Sequence, residues 1–281
     1  MLLAIRMTEI KKEGKTMTKK VLVTGGLGWI GSALVNKLKE LGCSVDIIDL
    51  KNGRDIRTDK LEGKYDIVLH LAALRSVPKS FDNPREFFDT NVYGTYRICE
   101  LFKGVRIVNI SSSTAETAIS PYGMSKLLAE KIAEKYKNVV TLRLFNPFGK
   151  GGTPDLVIPI FAEAMLKNEQ IYIHSDGKQS RDFTYLDDIV NEIIYQGTSN
   201  HIGVYDVGYG ESHSVNEVFG AMAKYFKYKK KPIYLPKRIG DQVHTQAKDR
   251  LCYNIYNPIG FDEGLDRTME WYAKNTLSSK L

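Results

Sequence analysis

The stretch that decides the fold reads Val21-Leu-Val-Thr-Gly-Gly-Leu-Gly-Trp-Ile-Gly31. Its apolar, β-branched start predicts a strand, and the glycines lead directly into a helical pattern over residues 32–40. Gly25, Gly28 and Gly31 stand where glycine permits a tight turn and a close approach of backbone to a ligand. The first N–H groups of the helix supply positive potential for a pyrophosphate. The stretch therefore predicts a dinucleotide-binding turn, with a glycine-rich turn that binds no ligand as the alternative.

A second predicted strand, residues 44–50, follows the helix and carries Asp49 near its end. This carboxylate comes about 20 residues after the last glycine, where an acidic side chain accepts hydrogen bonds from the ribose hydroxyls of an adenosine. A carboxylate in this place also repels a 2′-phosphate. Asp49 therefore predicts NAD rather than NADP as the cofactor.

Strand and helix patterns alternate through the first half of the chain. Strands are predicted over residues 65–71, 105–110 and 139–145, and amphipathic helices over 85–102 and 122–136. Such alternation is typical of a doubly wound parallel sheet with helices on both faces, which is the Rossmann-type α/β class. Ligands of such a sheet bind at the carboxyl ends of its strands.

The pattern changes after about Asn146, where Gly, Pro and Asp interrupt shorter elements. We predict a disordered extension over residues 1–16, an NAD-binding Rossmann domain over 17–150, and a smaller substrate-binding region over 151–281 that partly returns to the sheet. Met17 is the candidate native start. A signal peptide is the alternative for the extension, but its apolar stretch is short and no small-residue cleavage site follows.

Composition narrows the classes of partner. The chain has 281 residues, a net charge of +7 and three scattered cysteines, a set typical of reduced thiols and a cytoplasmic protein. No apolar run approaches the ~20 residues of a membrane span. The basic stretch at 224–231 is interpreted as a solvated helix end, because no nucleic-acid motif accompanies it. We therefore expect neither a membrane nor a nucleic acid as partner.

The stretch Ser120-Pro-Tyr-Gly-Met-Ser-Lys126 predicts the start of a helix, with Ser120 as N-cap and Pro121 at the first helical position. Tyr122 and Lys126 are then four residues apart on one helix face. An ammonium near a phenol lowers its pKa, as would the cationic nicotinamide of oxidised NAD; a shift from ~10 towards 7 takes about 4 kcal/mol. Tyr122 is thus the candidate general base, and an ordinary surface Tyr/Lys pair is the alternative.

These residues and several others resemble one family, the extended short-chain dehydrogenase/reductases, and within it the NAD-dependent nucleotide-sugar epimerases and dehydratases. The resemblance covers residues 19 to about 272. It rests on an ordered series of motifs: Thr24-Gly-Gly-Leu-Gly-Trp-Ile-Gly31, Asp55-Ile56, His70-Leu-Ala-Ala73, Asn91-Val-Tyr-Gly-Thr95, Ser111-Ser-Ser113, Tyr122-Gly-Met-Ser-Lys126, Arg143-Leu-Phe-Asn-Pro-Phe-Gly149, Arg181-Asp-Phe-Thr-Tyr-Leu-Asp-Asp188, Arg238-Ile-Gly-Asp241 and Glu263-Gly-Leu-Asp-Arg-Thr-Met-Glu-Trp-Tyr272.

The resemblance implies roles at matching positions. Tyr122 would be the base, Lys126 would hold the nicotinamide ribose, and Ser113 would hydrogen-bond the reacting sugar hydroxyl, with Ser112 or Thr114 as alternatives. Asp55 and Ile56 would face the adenine. The full implied cofactor set is Gly25, Gly28, Trp29, Ile30, Gly31, Asp49, Asp55, Ile56, Leu71, Ala72, Ala73, Asn91, Tyr122 and Lys126.

The implied substrate set is Ser113, Asn146, Arg181 and Arg238, the last three contacting the nucleotide diphosphate. A guanidinium fork matches phosphate oxygens, although surface ion pairs of these arginines with nearby aspartates are the alternative. No metal site is expected, because the adjacent Asp187-Asp188 lacks a third ligand and reads as a helix N-terminus. His70, at the end of a buried strand, is predicted to be a packed neutral residue rather than a base or ligand.

The chain departs from the family between Ser113 and Tyr122, where eight residues replace a longer loop that helps to wall the sugar pocket. Dehydratases of the family carry an Asp-Glu pair directly after the catalytic residue, and here Glu116 is one position off. We therefore expect epimerisation at carbon 4 of a UDP-hexose or UDP-hexuronate through a 4-keto intermediate. The alternatives are a dehydratase or decarboxylase, a keto-sugar reductase, and a non-catalytic NAD-binding protein.

A homodimer is expected as well. The predicted helices over 91–102 and 122–136 resemble those that family members pair into a four-helix interface. Their apolar residues include Ile98, Leu101, Leu127, Leu128 and Ile132. Some of these must face the sheet of their own chain, so the sequence leaves open whether a second apolar face exists.

Overall fold

A computed structural model describes residues 10–12, 15–248 and 257–278. The chain divides into two compact units, Met1–Leu144 with Ile189–Asp206, and Phe145–Asp188 with Val207–Leu281. The strands are β1 Ile10–Lys12, β2 Lys15–Met17, β3 Lys20–Thr24, β4 Ser44–Ile48, β5 Ile67–His70, β6 Arg106–Ser112, β7 Val139–Leu144, β8 Pro147–Phe148, β9 Tyr172–His174, β10 Ser180–Asp182, β11 Thr184–Tyr185, β12 Gly203–Val207, β13 Ser212–Ser214 and β14 Ile233–Leu235.

The α-helices are α1 Trp29–Glu40, α2 Val77–Asp82, α3 Pro84–Phe87, α4 Gly94–Leu101, α5 Thr114–Thr117, α6 Pro121–Ala133, α7 Val157–Leu166, α8 Leu186–Thr198, α9 Val215–Tyr225 and α10 Phe261–Ser278. A 3₁₀ turn covers Leu50–Asn52, and a π-helical turn, Phe88–Tyr93, joins α3 to α4. The predicted helix over 85–102 is therefore three consecutive helical segments.

A six-stranded sheet in the order β12-β7-β6-β5-β3-β4 forms the centre of the first unit. The pairings of β3 with β4 and β5, of β5 with β6, and of β6 with β7 are parallel. The chain runs from β3 to β4 on one side and continues from β5 on the other, so the winding direction reverses at β3. The predicted doubly wound parallel sheet is confirmed, with its ligand-binding edge at the carboxyl ends of these strands.

The central strand is buried on both faces, as its continuous apolar run requires. Val21, Leu22 and Val23 have no exposed surface. One face of the sheet packs into a cluster with α4, comprising Leu22, Ile48, Ile56, Leu61, Val68, Ile98, Cys99, Phe102, Ile107, Ala133 and Val139. Burial of this apolar surface holds the strand ends in place.

The second unit has three two-stranded sheets, β8 with β11, β9 with β14, and β10 with β13. Its core joins α7, α9 and α10 through aromatic side chains, and Phe148 contacts the rings of Phe183, Tyr185 and Phe261 at 5.5–6.1 Å between centroids. Asp188, in the first turn of α8, accepts a hydrogen bond from the Ile259 amide at 2.8 Å.

Several expectations from the sequence differ in detail. Of the predicted extension over 1–16, residues 1–9, 13 and 14 lie outside the described residues, whereas β1 and β2 pair as antiparallel strands. Residues 189–206, which fall in the predicted second region, belong to the first unit, in keeping with the expected partial return of that region to the sheet. Strand β6 continues two residues beyond its predicted end, to Ser112. Within the described part of the chain, every helix is too short or too polar to cross a membrane.

Candidate active site

The glycine turn after β3 is closed against the loop that follows β5. Gly25 has φ +72°, and a Cβ on it would lie 2.7 Å from the Ala72 amide nitrogen. A Cβ on Gly31 would overlap the carbonyl oxygen of Gly25. Helix α1 starts at Trp29 with Gly28 as its N-cap, so its first N–H groups lie beside this turn. Ile30 is in the same first turn of the helix.

Asp49 lies at the carboxyl end of β4 and is bonded to the glycine turn. Its Oδ2 accepts from the Leu27 amide at 3.0 Å, and its Oδ1 accepts from the Lys51 amide at 2.9 Å. Lys51 Nζ donates to the Leu27 carbonyl at 2.9 Å. Each carboxylate oxygen can accept a second hydrogen bond. The side chain is therefore fixed in place and still has acceptor capacity for ribose hydroxyls.

Asn91 fastens the loop after β5, which begins with Leu71, Ala72 and Ala73. Its Oδ1 accepts from the Leu74 amide at 2.8 Å, and its Nδ2 donates to the Leu74 carbonyl and to Ser125 Oγ, each at 2.9 Å. Asn91 is almost fully buried. The Asn91 amide therefore holds this loop, and its implied role as a cofactor contact stays a prediction.

Asp55 and Ile56, the implied adenine residues, are also held firmly. The Asp55 carboxylate forms an ion pair with Arg57, with 2.7 Å between Arg57 Nη2 and Asp55 Oδ2, which lowers the pKa of Asp55. Ile56 is buried, and a Cβ on Gly94 would lie 2.6 Å from its Cδ1. Both side chains are immobilised at the edge of the cofactor loops.

The predicted helix start is confirmed. Helix α6 begins at Pro121, and the N-cap Ser120 accepts from the Gly123 amide at 3.1 Å. The Ser112 side chain acts on the Tyr122 phenol and lowers its pKa, and the Tyr122 ring meets the Phe87 ring edge-on at 6.1 Å between centroids. Tyr122 is thus oriented from two sides.

The pKa of Tyr122 differs from the expectation. Burial raises it, while the Ser112 hydrogen bond and the charge of Arg75 act in the opposite direction. The sequence predicts that Lys126 lowers the pKa of Tyr122, and for the protein alone this prediction is wrong. The Lys126 ammonium donates instead to the Ile110 carbonyl at 2.6 Å. Arg75, which the sequence reasoning missed, is the cation that acts on this phenol.

Lys126 is buried, and this lowers its pKa to about 8, with Glu130 acting in the opposite direction. Glu130, one turn further along α6, is fully buried and pairs with Arg143 through two contacts of 2.9 and 2.7 Å. Ser111 Oγ also donates to Glu130 at 2.6 Å. The Arg143 guanidinium therefore compensates the buried carboxylate beside Lys126.

The hydroxyl next to Tyr122 belongs to Ser112, not to Ser113. Ser112 Oγ also accepts from the Thr114 amide at 3.3 Å and from Thr114 Oγ1 at 3.0 Å. Ser113 is buried, and its amide donates to the Leu144 carbonyl at 3.1 Å as the chain turns into α5. Ser112, one of the two alternatives, is thus the serine that acts on the phenol in this structure, and the preferred assignment of Ser113 stays a prediction.

The short connection to Tyr122 is folded tightly onto α6. Residues 114–117 form α5, and Ala118 ends it with φ +48°. A Cβ on Gly123 would lie 2.6 Å from the Thr114 carbonyl oxygen, so glycine permits this approach. Glu116 is exposed on α5, whereas the buried Ala115 packs inward.

The three implied diphosphate residues belong to the second unit. Asn146 Oδ1 accepts from Thr245 Oγ1 at 3.5 Å. Arg181 lies on β10, where its Nη1 donates to the Ser180 carbonyl at 2.9 Å. Burial lowers the pKa of Arg181, and Asp241 acts in the opposite direction.

Arg238 is the most exposed of the three, in the connection that follows β14. Its carbonyl accepts from the Asp241 amide at 3.5 Å, which closes a turn. The guanidinium is therefore on the surface of the second unit and accessible to an anion. Within the described residues, no group of three or more His, Cys, Asp or Glu side chains forms a metal-binding cluster.

His70 is buried at the end of β5, and burial together with the Lys126 charge lowers its pKa to about 3. Its ring bonds Thr24 Oγ1 at 2.7 Å and Thr95 Oγ1 at 3.1 Å. The prediction of a packed neutral histidine is confirmed. The two threonines were missed, although each stands inside a motif quoted for the resemblance.

The chain is similar to a family model, to named epimerases and to a solved structure. Residues 21–208 match the model of the NAD dependent epimerase/dehydratase family. The UDP-glucuronate 4-epimerase of Thermodesulfobacterium geofontis is 30% identical, covering 81% of this chain and 79% of that protein. The UDP-glucose 4-epimerase of Mycolicibacterium smegmatis is 29% identical, covering 92% and 99%. A solved structure of MoeE5 in complex with UDP-glucose and NAD has a TM-score of 0.84 at 32% identity, covering 92% of this chain and 99% of that one.

The family match starts in β3 and ends just after β12, so it spans the parallel sheet, the glycine turn and the Tyr122–Lys126 pair. This confirms the resemblance to the nucleotide-sugar branch of the extended short-chain dehydrogenase/reductases. The chain belongs to the NAD dependent epimerase/dehydratase family.

Proposed function

We propose that this protein is a UDP-sugar 4-epimerase that uses NAD. The observation that carries the proposal is the Tyr122 phenol, on which Ser112 at the carboxyl end of β6 acts, with Lys126 one turn away on α6. A phenol aligned by a second hydroxyl can take a proton from, and return it to, a sugar hydroxyl. This reversible transfer is what an epimerisation needs at both faces of carbon 4.

The residues around the glycine turn fit NAD. Side chains are missing where a pyrophosphate must approach, since a Cβ on Gly25 or Gly31 would collide with backbone. Asp49 has spare acceptor capacity for the adenosine ribose, and its charge disfavours a 2′-phosphate. We assign the pyrophosphate to the first turn of α1, the adenine to Asp55 and Ile56, and the nicotinamide ribose to Lys126.

Three side chains of the protein act on the proton transfer at the sugar 4-hydroxyl. Tyr122 holds and moves the proton of the 4-hydroxyl, and Ser112 orients the same oxygen. The Arg75 charge offsets part of the burial that raises the pKa of Tyr122. Held by the residues assigned above, NAD would supply the hydride acceptor and donor for carbon 4. Inversion requires the sugar ring to turn over within the site, and the short 114–121 connection leaves room for substituents at carbon 2 or carbon 6.

The composition of that connection favours epimerisation over elimination. A dehydratase needs an acid and a base beside the sugar to remove water. With Ser112 beside the phenol, the two positions that follow it are Ser113 and Thr114, neither of which is a carboxylate, and the Glu116 side chain is exposed. The Glu116 charge acts on Arg143, whose pKa is raised mainly by Glu130. The pair required for elimination is therefore incomplete.

The substrate class is proposed from two kinds of support. Asn146, Arg181 and Arg238 in the second unit offer the hydrogen-bonding groups that a nucleotide diphosphate requires. Two related epimerases act, by name, on UDP-glucose and UDP-glucuronate, and MoeE5 has been solved with UDP-glucose. We propose a UDP-hexose or UDP-hexuronate on this basis.

We further propose a cytoplasmic homodimer. Helices α4 and α6 carry apolar side chains on their outer faces, with Tyr96, Leu101 and Leu128 each 39–47% exposed. A groove between them is lined by Val92, Tyr96, Leu128, Lys131, Ile132, Lys135 and Tyr136. Ile98, in contrast, is fully buried against its own sheet. An exposed apolar surface of this kind marks a protein interface.

The experiment is to incubate purified protein with UDP-, GDP-, CDP- and dTDP-sugars without added reductant and to follow the sugar ring by NMR. Inversion at carbon 4 of UDP-glucose, UDP-N-acetylglucosamine or UDP-glucuronate is the expected result. Tyr122→Phe is the matched variant, expected to keep NAD bound and to lose at least ~100-fold in rate. Loss of water or carbon dioxide, or turnover of a non-UDP donor alone, contradicts the proposal.

A further inference from the structure

A continuous chain of buried hydrogen bonds runs from the cofactor loop to the helix after the π-helical turn. The Ala72 amide donates to Thr24 Oγ1 at 3.2 Å, and Thr24 Oγ1 meets His70 Nδ1 at 2.7 Å. His70 Nε2 meets Thr95 Oγ1 at 3.1 Å, and Thr95 Oγ1 donates to the Asn91 carbonyl at 2.7 Å. The side chains of Thr24, His70, Asn91 and Thr95 are each at least 97% buried.

The chain continues from Asn91 to the catalytic helix. Asn91 Nδ2 donates to Ser125 Oγ at 2.9 Å, and Ser125 Oγ donates to the Tyr122 carbonyl at 2.8 Å. Asn91 also holds Leu74 through both backbone groups. One network therefore connects the loop that begins with Leu71 to the turn of α6 that carries the phenol.

The bonding partners assign the proton of the imidazole. The Thr95 hydroxyl has one hydrogen, which it donates to the Asn91 carbonyl. In its contact with His70, Thr95 Oγ1 must therefore accept, and the donor is an N–H at His70 Nε2. His70 Nδ1 is then the acceptor, and Thr24 donates to it while accepting from Ala72. With the proton on Nε2, every donor in the network faces an acceptor.

A charged imidazolium breaks this pattern. It would carry a second N–H at Nδ1 pointing at Thr24 Oγ1, which already accepts from Ala72 and would be left without an acceptor for its own proton. The charged group facing the ring is the Lys126 ammonium, which also disfavours a second positive charge. Neutral His70 is the form for which the two threonines are arranged.

We propose that His70 is a positioning residue for this enzyme, which as the neutral Nε2–H tautomer sets the cofactor loop in register with the catalytic helix. The inference rests on the proposed function in one respect, the identity of NAD as the ligand of the loop that begins with Leu71. The His70 ring is hydrogen-bonded to Thr24 and Thr95, so its effect passes through Thr24 on one side and through Thr95 and Asn91 on the other.

The first test is spectroscopic and needs no activity. The chain has five histidines, so ¹⁵N-histidine labelling with long-range ¹H–¹⁵N correlation gives few signals, and His70→Gln identifies the one from this ring. We expect a protonated Nε2, an unprotonated Nδ1, and no titration between about pH 5 and 9. A proton on Nδ1, or a titration in that range, overturns the proposal.

The second test removes one bond at a distance from the ligand. Thr95→Val is nearly isosteric and deletes the acceptor of His70 Nε2–H, and we expect NAD affinity by titration calorimetry to fall about tenfold. The matched control is Thr141→Val, which deletes the buried hydrogen bond from Asn109 Nδ2 at 3.2 Å on neighbouring strands outside the network. The control is expected to bind NAD as the wild type does, with a similar fall in melting temperature.

His70→Gln keeps one donor and one acceptor and is expected to bind NAD more tightly than His70→Phe, which keeps neither. Equal NAD binding by Thr95→Val and wild type, or equal losses in Thr95→Val and Thr141→Val, overturns the positioning role. The NMR and calorimetry measurements do not depend on catalytic turnover. A wild type that binds NAD and shows the expected tautomer but epimerises no UDP-sugar therefore contradicts the proposed function and not this inference.

Discussion

The Ser112 side chain acts on the Tyr122 phenol and lowers its pKa, while the adjacent Ser113 is buried in the turn that follows β6. We expect Ser112→Ala to lower kcat by about 10- to 100-fold, because the phenol loses the group that orients the shared sugar hydroxyl. Ser113→Ala is the control and should stay within about threefold of wild type. Initial rates of carbon-4 inversion measure both, and a larger loss in Ser113→Ala than in Ser112→Ala contradicts the assignment.

Arg75 tunes the phenol by its charge. It lies between Leu74, held by Asn91 through two hydrogen bonds, and Ser76, which caps α2 with φ +114°. Burial raises the pKa of Tyr122, and Arg75 opposes this shift. Arg75→Gln removes the opposing charge, so the pKa rises further and less phenolate exists at a given pH. The acid limb of the kcat/KM profile should therefore move to higher pH.

The matched control for that profile is Arg85→Gln, an exposed arginine of α3 that pairs with Asp89 at 3.5 Å. It removes the same charge without acting on the phenol, and the acid limb should stay in place. A shift of equal size in the two variants would mean that net charge, rather than the position of Arg75, moves the profile.

Lys126 links stability to pH. Burial lowers its pKa from 10.5 to about 8, so between these values the folded state binds fewer protons than the unfolded state. Stability should therefore rise with pH from about 8 to 10.5, and the buried ammonium should cost stability below about 8. Lys126→Met is expected to remove this rise and to abolish turnover.

Urea midpoints measured from pH 7.5 to 10.5 in steps of about half a unit test this linkage. The control is Lys37→Met on α1, whose exposed ammonium pairs with Glu40 at 3.2 Å. Its midpoint should follow the wild-type curve. A wild-type curve that is flat, or that falls across this range, contradicts the assigned direction.

Asp49 should make the protein prefer NAD to NADP. Asp49→Asn keeps an oxygen for the Leu27 or Lys51 amide but removes the charge that repels a 2′-phosphate. We expect the NAD to NADP affinity ratio to fall at least about tenfold, measured by titration calorimetry with both nucleotides. Equal or tighter NADP binding by the wild-type protein is the result that refutes this prediction.

The outer faces of α4 and α6 should pair two copies of the chain. Light scattering is expected to give about twice 31.8 kDa for the wild type. Leu128→Lys places a charge in the groove between these helices and should yield monomers. Ile202→Lys changes another exposed apolar residue, 55% exposed and outside the groove, and should leave the dimer intact. A wild type at the monomer mass in dilute solution counts against the interface.

The sequence alone determined the parallel sheet, the helix start at Pro121 and the neutral state of His70. Each depends on local chemistry: the β-branched run before Gly25, the N-cap of Ser120, and the burial of a strand end. Local spacing is enough for these features, because the glycine turn and the cap are made by residues that are close along the chain.

The tertiary structure decided which side chains meet. Whether Ser112 or Ser113 reaches Tyr122 depends on how far β6 continues before the chain turns into α5, and on where α6 packs against it. The residues next to the serines do not indicate where β6 ends or where α6 packs against it. The same holds for Arg75, which approaches the phenol across 47 residues of sequence.

Asn91 gives the clearest case. Its motif implies a cofactor contact, and the structure shows that its amide also bonds Leu74 and Ser125, which lie 17 residues before it and 34 residues after it. A buried amide must satisfy its hydrogen bonds wherever the fold presents partners, and sequence spacing does not reveal those partners. The sequence thus supplied the candidate site residues other than Arg75, and the packing of strands and helices decided which side chains meet.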